Sequence, residues 1–145
     1  MSNNNKHIAS HWEHFAHEAD MGIRGFGPTC AEAFEQAALA LSSIVSSLAS
    51  IRPEHKITIA CTAPNVELLL VDWLNAIIFE MSTRHMLFSR YEVQIDNEKL
   101  TGAAWGETVK MERHSPAVEP KGATYTSLSV HQKNAGWVAQ CVVDV

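Results

Sequence analysis

The chain is predicted to fold as an α+β two-layer sandwich, in which two helices pack on a mostly antiparallel sheet of about six or seven strands. Three observations carry this prediction. The stretches from Ala33 to Leu48 and from Leu68 to Met81 repeat apolar residues at helical intervals. Several other stretches alternate apolar and polar residues with a period of two, the pattern of a strand with one face inside. Short turn-forming runs join consecutive alternating stretches directly, a connection open to antiparallel neighbours and closed to parallel ones.

The elements follow in order. Met21 to Phe26 reads as a short strand stopped by Gly27-Pro28. Thr29 and Glu32 form a capping-box pair, so a helix starts there and carries Ala33, Phe34, Ala37, Ala38, Leu41, Ile44, Val45 and Leu48 on one stripe. Beyond Pro53, the stretch Lys56 to Thr62 sets Ile57, Ile59 and Cys61 against Lys56, Thr58 and Ala60. Asn65 caps a second helix, apolar on most of its circumference from Leu68 to Met81. Leu87, Tyr91, Val93 and Ile95 alternate with Arg90, Glu92 and Gln94, and Asp96-Asn97 turns the chain into Lys99 to Trp105. Gly122 to Val130 and Trp137 to Val145 form a last pair joined through His131 to Gly136. No repeat or low-complexity linker divides the chain, so residues 12–145 are expected to form one domain and residues 1–11 a flexible N-terminus.

Composition narrows the function classes. A chain of 145 residues with 46% hydrophobic and 19% charged residues suits one ordinary globular domain. Its net charge of −5 argues against a broad basic face for gripping nucleic acid, so any RNA contact is expected to be indirect. Cys30, Cys61 and Cys141 are odd in number and set in apolar patterns, which points to reduced, buried thiols in the cytoplasm. No charged-then-apolar leader opens the sequence and no apolar run reaches the ~20 residues of a membrane span, so no membrane association is expected.

Two places draw the eye for chemistry. Asp20 lies at the corner between the aromatic and histidine cluster Trp12 to His17 and the glycine-punctuated strand after it. A short carboxylate held there by the backbone suits a hard-cation ligand, or a cap on the turn. The final strand places Trp137, Ala139, Cys141, Val143 and Val145 on one face and Val138, Gln140, Val142 and Asp144 on the other. Asp144, together with the α-carboxylate of Val145 if nothing follows it, is expected to put negative charge at the end of an apolar strand, where it needs solvent, a basic side chain or a cation. His11, His14 and His17 are spaced by three, and with Asp20 they offer a second reading, a transition-metal site of a metal-dependent hydrolase. An extended backbone opposes that reading, because it turns His14 away from His11 and His17. Nucleophile-elbow, phosphate-loop and dinucleotide-fingerprint patterns are missing from the sequence.

Several motifs occur together and in order. Trp12-Glu13-His14, His17-x-Ala19-Asp20 and Gly22-Ile23-Arg24-Gly25-Phe26-Gly27 open the chain. The capping-box helix, Leu68 to Asn75, Phe88-Ser89-Arg90, Gly106-Glu107, His114-Ser115-Pro116, Lys121-x-Ala123-Thr124-Tyr125 and Trp137 to Val145 follow. This set resembles the archease family, small cytosolic accessory proteins of the GTP- and metal-dependent RNA ligase of tRNA splicing. The resemblance implies a non-catalytic cofactor that promotes guanylylation of the ligase histidine and its multiple turnover. It also implies a divalent cation site, calcium first with magnesium or manganese permitted, whose ligands fall on Asp20, Asp144 and Val145. Lys121 matches the family's functional lysine, a point charge for a nucleotide phosphate or an acidic partner surface. Thr126 stands where relatives carry a histidine, which removes proton transfer or metal ligation from that position. A generic chaperone or adaptor remains a third reading of the same residues.

Overall fold

The computed structural model of the chain describes residues 8–145, in the order β1 (His11–His17), β2 (Asp20–Gly27), α1 (Cys30–Val45), β3 (His55–Thr62), α2 (Val66–Arg84), β4 (Met86–Asp96), β5 (Lys99–Thr108), α3 (Met111–His114), β6 (Gly122–Ala123), β7 (Ser129–Lys133) and β8 (Gly136–Asp144). All strand pairs are antiparallel and divide into two sheets. In the first, β1, β2 and β8 run side by side, and the far edge of β8 is shared by β6 and β7. The second has the order β3-β5-β4. Both long helices touch strands of both sheets, so helices and sheets share one core.

The α+β class and the two long helices stand as the sequence predicts, and the strands among the described residues number eight. Two local events explain the count. Trp12 to His17 is extended and forms β1, with His11 already inside the strand opposite Phe26. The expected strand Gly122 to Val130 is broken in its middle: the Thr124 amide and hydroxyl both still donate to the Val142 carbonyl, at 3.0 and 2.8 Å, and beyond it Ser127 takes a left-handed φ of 54°. The chain bows out there and leaves β6 and β7 as separate pieces. Residues 1–7 of the expected flexible N-terminus lie outside the described residues.

Local chemistry sets the helix limits. The Thr29 hydroxyl accepts from the Glu32 amide at 3.1 Å, and Asn65 accepts from the Leu68 amide at 2.9 Å, which caps both helices as predicted. Helix α1 ends three residues before Leu48, where Ser46 adopts extended backbone and gives its hydroxyl to the His114 carbonyl at 2.6 Å. Leu48 to Ser50 continue only as a single tight turn.

The glycines of β2 are explained by its distance from α1. A Cβ on Gly25 would sit 2.2 Å from the Ala33 carbonyl oxygen and 2.3 Å from the Ala37 amide nitrogen. The small Ala33, Ala37 and Ala40 of α1 are fully buried, so helix and strand backbones are almost in contact. Gly25→Ala is expected to cost about 1–3 kcal/mol by overpacking, read as a lower denaturation midpoint at unchanged slope. On the other side Trp73 of α2 is fully buried, donates its indole N–H to the Phe34 carbonyl at 3.1 Å and fills the space above Gly102. This indole ties the two helices and the second sheet together.

In the second sheet Ile57, Ile59, Tyr91, Val93, Leu100 and Ala104 face the core. The alternate residues, among them Lys56, Thr58, Arg90, Glu92, Gln94 and Thr101, face solvent.

Candidate metal centre and partner-contact corner

The β1–β2 hairpin closes on the pair His17 and Asp20 through the two-residue turn Glu18-Ala19, with Glu18 at a φ of 53°. This fixes Asp20 as the first residue of β2. Beside it, β2 and β8 pair Met21 with Val143, and one further step of that register sets Asp20 opposite Asp144. Facing residues of an antiparallel pair project to the same side of the sheet. The Val145 amide then donates to Asp20 Oδ1 at 3.4 Å, a long bond that still orients the carboxylate toward the end of β8. From the other edge of β8 the Lys121 amide donates to the Asp144 carbonyl at 2.8 Å. Asp20, Lys121, Asp144 and Val145 therefore meet at one corner of the first sheet, although up to 125 residues separate them in sequence.

Among the described residues neither Asp20 nor Asp144 has a basic side chain within ion-pair distance. Asp20 and Asp144, which face each other by the β2–β8 register, are two carboxylates without a cationic partner among the described residues, and carboxylate oxygens are the donors that hard divalent ions take. Two carboxylates are compatible with a hard divalent ion by donor chemistry alone. The pair is smaller than a closed cage, and no group of three or more His, Cys, Asp and Glu side chains converges among the described residues.

The histidine-based site does not assemble. His11 stacks on Phe26 at 4.2 Å and bonds the Ala9 carbonyl through Nδ1. His14 points to the opposite face of β1, where Nε2 donates to the Ala40 carbonyl of α1 at 2.8 Å. Only His17 remains near Asp20, as its partner across the hairpin. Thr126 gives backbone support alone: its carbonyl accepts from the Val142 amide at 3.1 Å. The three cysteines are free, with Cys141 buried and Cys30 and Cys61 half-buried. Burial, then the charge of Glu67, pushes the Cys30 thiol to about 11, and burial takes Cys141 to about 12, so neither is a thiolate nucleophile at neutral pH.

Comparison with known proteins decides the relationship. The Archease protein family matches residues 12–145. The chain belongs to the archease family. It is 34% identical to the archease of Pyrococcus furiosus, over 92% of this chain and 98% of the relative, and 34% identical to that of Methanopyrus kandleri, over 92% and 99%. The solution structure of a Methanobacterium thermoautotrophicum protein superposes with a TM-score of 0.81 at 30% identity, covering 92% of this chain and 98% of that one. A Thermotoga maritima protein described as an archease and possible chaperone shares the fold, with a TM-score of 0.62 at 18% identity over 90% of this chain and 94% of that one. Among the described residues no helix of this archease chain is long and apolar enough to cross a membrane.

Two archease motifs, Gly106-Glu107 and His114-Ser115-Pro116, meet in a buried cluster that the sequence does not announce. Glu107 is 6% and His114 3% exposed. Glu107 accepts from the Arg52 amide at 2.7 Å, from the Arg113 guanidinium and from His114 Nε2 at 3.0 Å. Since the Lys110 amide donates to His114 Nδ1 at 2.8 Å, that nitrogen carries no proton, and Nε2 must be the one that donates to Glu107. The pair has the contacts of a carboxylate–histidine dyad, with both ring nitrogens engaged in hydrogen bonds within the fold. Burial alone would raise the Glu107 carboxyl; the Arg52 amide, His114 and Arg113 more than reverse this and hold it at about 2. The cluster fastens the segment after β5 to α1, helped by the Ala117 amide on the Val45 carbonyl at 2.8 Å. That segment roofs an apolar groove of about 540 Å³ floored by Val45, Ile78, Met81, Met86 and Leu87, and runs through Pro120 into Lys121.

Proposed function

We propose that this chain is a non-catalytic accessory protein of a GTP-dependent tRNA-splicing RNA ligase, acting in the cytoplasm to promote ligase guanylylation and multiple turnover. The convergence of Asp20, Asp144 and Val145 beside Lys121, seen in the 3.4 Å contact between Val145 and Asp20, is the observation that carries this reading. The β2–β8 and β6–β8 pairing brings these residues to one edge, where two carboxylates lie beside an exposed lysine.

In this reading Asp20, Asp144 and Val145 hold a divalent cation, with calcium first in order and magnesium or manganese also suited to oxygen donors. A bound cation supplies concentrated positive charge to anionic oxygens of the partner or its nucleotide. The chain's own residues do the rest. The hairpin turn and the β8 register set the spacing of the two carboxylates, and the Lys121–Asp144 backbone bond places an ammonium on a flexible stem at the rim, able to reach a phosphate or an acidic surface. RNA is reached through the ligase at this corner. A broader adaptor or chaperone-like role draws on the apolar groove, whose Met81, Met86 and Met111 side chains adapt to varied apolar surfaces.

Ligation turnover by the partner ligase, followed with and without this chain at fixed metal and GTP, tests the reading. Added chain is expected to convert a single round of ligation into many. Lys121→Ala is expected to reduce that gain about 10-fold while leaving the melting temperature unchanged, since Lys121 is exposed and its loss removes one charge-assisted contact. Equal turnover in both reactions contradicts the proposal.

A further inference from the structure

The solvent face of the second sheet carries a row that the cation corner does not use. The strand register sets Lys56 of β3, Trp105 of β5 and Arg90 of β4 side by side. The Lys56 ammonium lies 5.5 Å and the Arg90 guanidinium 4.4 Å from the centre of the Trp105 ring. The indole is half-buried, and the rows beyond it on the same face are Thr58-Ala103-Glu92 and Ala60-Thr101-Gln94, with no second aromatic ring or cation.

We infer that this row is a contact site for a single-stranded polynucleotide, with Trp105 as the stacking platform for a base and Lys56 and Arg90 as its phosphate clamps. An aromatic ring interleaved with cations is the combination that binds single strands without sequence preference, because every base has a stacking face and every linkage a negative charge. The Lys56 contact with the ring is loose at 5.5 Å, so a base can take its place while the ammonium turns to the adjoining phosphate. Among the described residues Arg90 is held besides only by Glu92 at 3.6 Å, a pair whose side chains are 58% and 60% exposed and which therefore resists little. An acidic polypeptide would meet the two cations but leave the ring unused, which favours the polynucleotide. The net charge of −5 spreads over the whole surface and makes the contact weak, without removing a local row of two cations. This inference does not rest on the cation corner or on a ligase.

The test uses the purified chain alone, with short oligouridylate, oligothymidylate, an RNA duplex of the same length and polyglutamate as probes, binding being read by fluorescence anisotropy across a salt series. Oligouridylate and oligothymidylate are both expected to bind, more tightly than the duplex or polyglutamate. Trp105→Ala is expected to weaken binding about 10-fold, and Trp105→Phe, which keeps a stacking ring, to restore most of it. Lys56→Ala and Arg90→Ala are each expected to reduce the slope of log affinity against log salt by about 0.7. The inference is overturned if no single strand binds, if duplex or polyglutamate binds equally well, or if Trp105→Ala, with an unchanged circular dichroism spectrum, binds as the wild type does.

Discussion

Asp20→Ala and Asp144→Ala should each lower the affinity for calcium or manganese at least about 10-fold in calorimetric titration, and the double variant should show no binding heat. The size follows from how few oxygens the chain supplies. Loss of an outer partner of a ligand already costs about 10- to 100-fold in metal affinity, and removal of a ligand itself costs no less. Neither carboxylate supports the core: Asp144 is exposed, Asp20 is partly exposed, and the one bond from Asp20 is long. The melting temperature without metal should therefore stay the same or rise slightly, since two neighbouring negative charges no longer repel. Added cation should raise the melting temperature of the wild type and leave that of the double variant where it was.

The largest effect on stability is expected at Glu107. Glu107→Ala strands three donors at once, the Arg113 guanidinium, the His114 Nε2–H and the Arg52 amide. Breaking a buried charged pair by removing one partner costs about 3–5 kcal/mol, a large share of a small domain's stability. The same carboxyl gives a pH signature whose sign is fixed. Its folded value of about 2 lies below the ordinary 4.5, so the folded protein favours the ionised form. The stabilisation is fully present above pH 4.5 and is lost as pH falls toward about 2. Urea unfolding across that range should show the wild type losing stability with acid faster than Glu107→Gln, which has no charge there to lose. Parallel curves for the two proteins would remove Glu107 from the account.

The contrast between the corner and this cluster shows what one sequence can disclose. Helix α1 is legible because Thr29 and Glu32 mark its start and Ala33, Phe34, Ala37 and Leu41 recur on one stripe. The corner is legible in its parts, because Asp20 stands at the turn before a glycine-punctuated strand and Asp144 ends an alternating one; the β1–β2 hairpin and the β2–β8 register that join them are seen only in the fold. Strand β1 is harder to read, since its apolar residues fall on both faces: Trp12 packs against the core while Phe15 lies over Gly22 on the other side. The bowed segment from Thr124 to Leu128 is harder still, because the left-handed turn residue there is Ser127, not a glycine or a residue beside a proline. The Glu107 cluster leaves no local signal at all. Its acceptor and donors come from β5, α3 and the backbone at Arg52, and only the folded chain brings them together. Lys56, Trp105 and Arg90 are separated in the same way, on three strands whose pairing alone makes them a row.

The most direct test of the central proposal is the rate at which the partner ligase becomes guanylylated in the presence of wild-type chain and of the Asp20→Ala/Asp144→Ala double variant, at fixed GTP and divalent metal. The account predicts rapid guanylylation with the wild type and, with the double variant, the slow rate of the ligase alone. Wild-type rates from a folded double variant would contradict it.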